Sequence, residues 1–172
     1  MRKIQVENIV RWVSVMLIQI MILNHIMIRG YLNPYLYILP IILLPGTMKG
    51  GWILWIGFLT GLIMDFAMNT YGVHAASTTA MAFLRIQMIG TLSGKTSEEM
   101  HRPGMQSMGT RGFLIYAGVL TLFHHILLNV LDVFRVSEIL LILYRSVFSS
   151  ALTFLLILLF QLLTQSSKRN AL

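Results

Sequence analysis

No cysteine occurs in the 172 residues. Disulfides, thiolate metal sites and cysteine nucleophiles are therefore excluded. Charge is scarce, at 11% of residues. The longest polar stretch, Ser93–Arg111, is too short to make a separate soluble domain. No Gly-x-Ser-x-Gly or other nucleophile motif occurs. Gly90–Thr96 ends in Gly-Lys-Thr like the tail of a phosphate-binding loop. The position five before Gly94 is Ile89 rather than glycine, however, and the run leaves an apolar segment. There is no internal repeat and no low-complexity segment.

What the chain does have is apolar sequence in long blocks. Hydrophobic residues make up 56% and the mean hydropathy is +0.76, which reads as a polytopic membrane protein. The net charge of +7 could suggest nucleic acid. The basic residues lie at the ends of the apolar blocks, though, where they orient a membrane protein, and nucleic-acid binding is not expected. Arg2 and Lys3 before an apolar run mimic a signal peptide. Gln19, Asn24 and His25, with no small-residue cleavage site, make the run a retained first span.

The expected fold class is all-α, a polytopic helical bundle of about six transmembrane helices in a single domain. The spans fall at about 9–28, 34–45, 51–68, 72–92, 112–131 and 139–163. A cytoplasmic loop is expected at 93–111 and a polar cytoplasmic tail at 164–172. The second span is the doubtful one. Its residues 34–45 reach only about 18 Å as a helix, against a hydrocarbon core of roughly 30 Å, and Pro40 should kink it.

Charge counting arbitrates. If 34–45 crosses and the N-terminus is cytoplasmic, Arg2, Lys3, Arg11, Lys49, Lys95, Arg102, Arg111, Lys168 and Arg169 lie inside, with Arg29 and Arg135 outside. If it does not cross, only Arg2, Lys3, Arg11 and Arg135 lie inside. The positive-inside rule favours crossing, with both termini cytoplasmic.

The third span carries Gly57, Gly61, Asp65 and Asn69, four apart, as one helical stripe. Gly57 and Gly61 form a small-xxx-small notch for a neighbouring helix, and the Ala75–Ala80 run of small residues on the fourth span suits it. A carboxyl inside a membrane segment normally faces the bundle interior and has a partner. At similar depth lie Asn24, His25, His74, His124, His125, Asn129 and Arg145, all near the outer face. Arg145 is the expected partner of Asp65, with His74 and His124 or His125 as alternatives. Two readings stand: a structural polar network, which is preferred, and a pocket or partner-docking zone. Arg85, in the inner third of the fourth span, is expected to snorkel to the cytoplasm.

His124-His125 invites a metal reading, but adjacent helical residues point about 100° apart and no carboxylate lies within a turn. Polar packing is preferred, and neither a metal nor another cofactor is expected. The methionines read as adaptable packing. Tyr31, Tyr35, Tyr37 and Tyr71 read as an interfacial aromatic belt.

Taken in order, Gln19 with Leu23-Asn24-His25, Asn33-Pro34-Tyr35-Leu36-Tyr37, Gly57-Phe58 through Gly61 to Asp65, Gly72-Val73-His74-Ala75-Ala76, and Phe113–Gly118 to His124-His125 form a pattern over most of the chain. The pattern resembles the rod shape-determining MreD family of bacterial inner-membrane proteins. The resemblance implies a non-enzymatic role in cell-wall elongation. It also implies a single-pass MreC-like partner and, through it, MreB-like filaments, a RodA-type glycosyltransferase and penicillin-binding protein 2. The family fold is similar to the substrate-binding subunits of energy-coupling-factor vitamin transporters, so a small-molecule-binding subunit is the alternative. The short external turns, Arg29–Asn33, Asn69–Tyr71 and Asp132–Glu138, disfavour a lidded ligand site.

Overall fold

The computed structural model describes residues 2–26, 32–93, 100 and 103–169. Arg29, Tyr31, the Gly94-Lys95-Thr96 run and Arg102 lie outside the described residues. The described residues are mostly helical, with no strand among them. The long helices are α1 (Arg2–Met21), α3 (Gly50–Met68), α4 (Val73–Ser93), α5 (Met105–Val133) and α6 (Ile139–Arg169); α2 (Leu39–Ile42) is a single turn. Four segments are long and apolar enough to cross a membrane: Val6–His25, Gly50–Met68, Met105–Val133 and Ile139–Thr164. The fifth long helix, α4, carries His74, Ser77, Thr78 and Arg85 on its buried side. It packs between α3 and α5, so much of its surroundings are protein.

Apolar helices accommodate hydroxyls by bonding them to their own backbone one turn back. Thr60 donates to the Ile56 carbonyl, Thr79 to Ala75, Ser77 to Val73 and Thr164 to Phe160. Helix ends are marked by left-handed residues. Asn69 (φ +56°) closes α3, and Phe134 (φ +45°) closes α5. Gly109 (φ +72°) interrupts α5 after its first turn, a conformation that glycine adopts without a Cβ penalty.

The structure departs from the sequence expectations in three places. The segment 34–45 is not a helical span. It is extended at Asn33–Tyr35, a 3-10 turn at Leu36–Ile38, and then α2. All of 34–45 is buried, which explains how irregular backbone is tolerated at this depth: it is surrounded by protein rather than lipid. The loop expected to run to residue 111 ends earlier, since α5 starts at Met105. The tail expected from 164 is helical through Arg169.

Contacts give the direction of each element. α3 and α4 are antiparallel. A Cβ on Gly61 would lie 2.5 Å from the Ala75 Cα, one on Gly57 would lie 2.9 Å from the Ala82 Cβ, and one on Gly50 would lie 3.4 Å from Ile86 Cδ1. Backbone approach this close is what the glycine notch permits. The broken segment runs alongside: Tyr37 bonds His74, and Leu44 bonds Arg85. Those two α4 residues are about 16 Å apart at the α-helical rise. In α1, Trp12 reaches Thr60 (2.8 Å), and Gln19 reaches Pro34 and Tyr37. In α6, Thr153 reaches Tyr35, and Gln161 lies beside Gly104. The first residues of α1 and the last of α6 therefore point to the same end of the bundle as Lys49.

Candidate functional site

The polar residues at the end of the bundle away from Lys49 gather around two tyrosines on the broken segment. Tyr37 is fully buried. Its hydroxyl is 2.7 Å from His74 Nδ1, 2.8 Å from His124 Nε2 and 3.2 Å from Thr78 Oγ1. A phenol has one proton to give, so at least one imidazole must donate its N–H to the phenol oxygen. The Tyr35 ring packs edge-on to His74 at 5.2 Å between centroids and lies 5.5 Å from His125.

A second chain of bonds has a definite direction. His125 Nδ1 lies 2.8 Å from the Thr121 carbonyl, which can only accept. The other nitrogen of the neutral ring, Nε2, therefore accepts from the Thr153 hydroxyl at 3.1 Å. Thr153 Oγ1 in turn accepts the Tyr35 backbone N–H at 2.9 Å. One helical turn further out, Asn129 Nδ2 donates to the His125 carbonyl and to Ser146 Oγ, at 2.8 and 3.1 Å. These bonds tie α5 to α6 through the same stretch of backbone that Tyr37 ties to α4.

Asp65 has a different role from the one expected. Its Oδ1 accepts from Thr70 Oγ1 (2.7 Å) and the His74 N–H (2.9 Å), and its Oδ2 accepts from the Ala75 N–H (2.9 Å). A carboxylate on the last turn of α3 thus satisfies the orphan amides of the first turn of α4. It also sits where that helix's dipole favours negative charge. Arg145 is not its partner. Arg145 Nη1 lies 3.5 Å from Asp132 Oδ2, a pair that is partly exposed at the rim.

The remaining predicted residues divide clearly. His74, His124, His125 and Asn129 are brought together and are buried. Their burial corrects the docking expectation for them, because a partner cannot touch side chains that are covered on all sides. Asn24 is half-buried and accepts from Gln19 at 2.9 Å; Asn69 and His25 are exposed, and among the described residues they join no cluster. Arg85 does not snorkel. It is fully buried, and its Nη2 donates to the Leu44 carbonyl. Among the described residues no three His, Asp or Glu side chains gather as metal ligands do.

Several members of the cluster were not legible in the sequence. Tyr35 and Tyr37 are interior residues, not belt residues, with 7% and 0% exposure; Tyr71, at 99%, does lie at the surface. Gln19 donates to the Pro34 carbonyl (3.0 Å) and accepts from the Tyr37 N–H (3.2 Å). The available signal was Pro34 and Pro40 bracketing the tyrosines: proline breaks the helix, and the freed backbone groups then need side-chain partners.

α3 and α4 border an open apolar groove of about 1090 Å³. Leu54, Phe58, Leu62 and Phe66 form one wall, while Ala76 and Ala80 belong to its lining from α4, and Gly72 to its lining from the turn before that helix. Searches against family models, curated proteins and solved structures find no match to the chain.

Proposed function

We propose that the chain is a non-catalytic membrane scaffold that helps assemble the bacterial cell-wall elongation machinery by binding a single-pass MreC-like protein. In this reading it sits in the cytoplasmic membrane and crosses six times, the broken segment 32–45 being one of the crossings, with both termini cytoplasmic. Nine basic residues against two on the opposite side support that orientation.

The observation that carries the reading is the filling of the outer half by the chain's own side chains. Tyr35, Tyr37, His74, His124 and His125 pack on and bond to one another there. A vitamin-binding subunit needs space for a substrate between its helices at that level. The groove between α3 and α4 is open to the outside of the bundle instead, and Ala76 and Ala80, four residues apart on α4, suit close approach by a partner's membrane helix.

A mild-detergent pull-down of the tagged protein from native membranes, with mass spectrometry, tests this. Recovery of a single-pass coiled-coil protein and a wall synthase supports the scaffold, and Ala76→Trp should then reduce that recovery. Recovery of ATPase subunits with a coupling membrane protein overturns it.

A further inference from the structure

The buried polar groups of the outer half are mostly matched to partners, whereas one charge at the other end is not. Arg85 is 0% exposed. Its Nη2 donates to the Leu44 carbonyl, while Nε and Nη1 have no hydrogen-bond partner. No ion pair to Arg85 occurs among the described residues. The neighbouring Tyr116 hydroxyl donates to the Ile42 carbonyl at 2.9 Å and can accept from Arg85 through its oxygen, but it is neutral and brings no counter-charge.

A guanidinium is not deprotonated in proteins and brings five N–H donors. Burying it without an anion is strongly unfavourable, because desolvation is not offset. The carbonyl of Leu44 supplies only a dipole. Nε and Nη1 lack a hydrogen-bond partner, and the guanidinium lacks an anionic one, among the described residues.

The level of Arg85 in the bundle narrows the missing group. Its neighbour Ile86 meets Gly50, the first residue of α3, and Lys49 just before it is exposed. Arg85 therefore lies at the depth where α3 begins, close to the headgroup region of a bilayer and far from the tyrosine–histidine cluster. Planar N–H donors fit the tetrahedral oxygens of a phosphate, and arginine is a favoured residue for such contacts.

We propose that Arg85 binds a phosphate group that enters the bundle at the end carrying both chain ends, supplied either by an anionic phospholipid headgroup or by free phosphate. The site is independent of the scaffold reading and would hold in a transporter subunit as well.

The test uses the whole chain purified in dodecyl maltoside, which carries no phosphate. Thermal unfolding is followed against added inorganic phosphate in one arm and phosphatidylglycerol in the other, at matched ionic strength and with diacylglycerol as the phosphate-free lipid control. Wild type should gain a few degrees in one arm or both, diacylglycerol should give no gain, and Arg85→Gln should lose the gain. A response to phosphatidylglycerol alone identifies the lipid source; a response to inorganic phosphate identifies the free ion. No gain in either arm, or an equal gain in Arg85→Gln, overturns the proposal. If Arg85→Gln does not fold, phosphorus analysis of purified wild type decides: about one retained equivalent per chain supports the site, and none overturns it.

Discussion

The α3–α4 hairpin and the broken segment 32–45 solve the same problem in opposite ways. Apart from the first turn of α4, which Asp65 caps, the hairpin satisfies its backbone within each helix, and it joins the helices mainly by shape: Gly57 and Gly61 remove the side chains that would hold them apart. The broken segment has little helix, so its backbone groups are satisfied one at a time by neighbours. The Tyr35 N–H goes to Thr153, the Tyr37 N–H to Gln19, the Pro34 carbonyl to Gln19, the Ile42 carbonyl to Tyr116 and the Leu44 carbonyl to Arg85. These partners come from α1, α4, α5 and α6, so the irregular segment pins α1 to the packed row of α4, α5 and α6, which α1 itself touches little. Added bulk breaks the hairpin's seam; lost polar atoms break the segment and the Asp65 cap of α4.

That contrast orders the expected effects. The largest is Gly61→Leu, which drives a side chain into the α4 backbone 2.5 Å away. The helices cannot interdigitate around it, and a loss of at least about 3 kcal/mol is expected. Thermal unfolding and membrane abundance check it, and normal values for both would show that the two helices can separate freely.

Asp65→Ala comes next, at roughly 3 kcal/mol. It leaves the buried His74 and Ala75 amides of the α4 first turn without their charged acceptor. Asp65→Asn, which keeps an acceptor oxygen, should recover part of the stability measured by unfolding. Equal losses for the two variants would remove the capping explanation.

Tyr37→Phe should cost about 2 kcal/mol, because it strands ring nitrogens of two buried histidines while preserving volume. Within the segment, Gln19→Leu probes backbone satisfaction directly by unpairing Pro34 and Tyr37. It should also speed hydrogen exchange at the Tyr37 amide. Unchanged exchange there would break the contrast between the two regions.

The smallest effect is Arg145→Ala, under about 1 kcal/mol, since its pairing with Asp132 is partly exposed. Combined with Asp65→Ala, its effect should be additive. A coupling above roughly 0.5 kcal/mol between those two positions would restore the pairing that the geometry denies.

Much of the scaffold was legible in the chain. Long apolar blocks marked α1, α3, α5 and α6. The four-residue spacing of Gly57 and Gly61 marked the face that meets α4, because helical periodicity is local and side chains four apart must share a side. The histidines and Asn129 were placed at one depth by the same counting. The sequence misled where partners are non-local. Asp65 was assigned to the one cation at its depth, yet backbone amides nine and ten residues on satisfy it. The prolines argued against a plain helix at 34–45 but did not reveal that the tyrosines there turn inward.

Composition and spacing by themselves thus determined that this chain is an apolar helical protein, where four long helices lie and which glycines face a neighbour. All three follow from transfer energy and helical periodicity along contiguous residues. Only the tertiary structure decided that 34–45 threads the bundle as irregular backbone, that Tyr37 joins His74 to His124, that Asp65 caps α4, and that Arg85 is buried without a counter-charge among the described residues. Each of these depends on which helix lies across the interior. Hydrogen-bond partners tens of residues apart leave no period in the sequence.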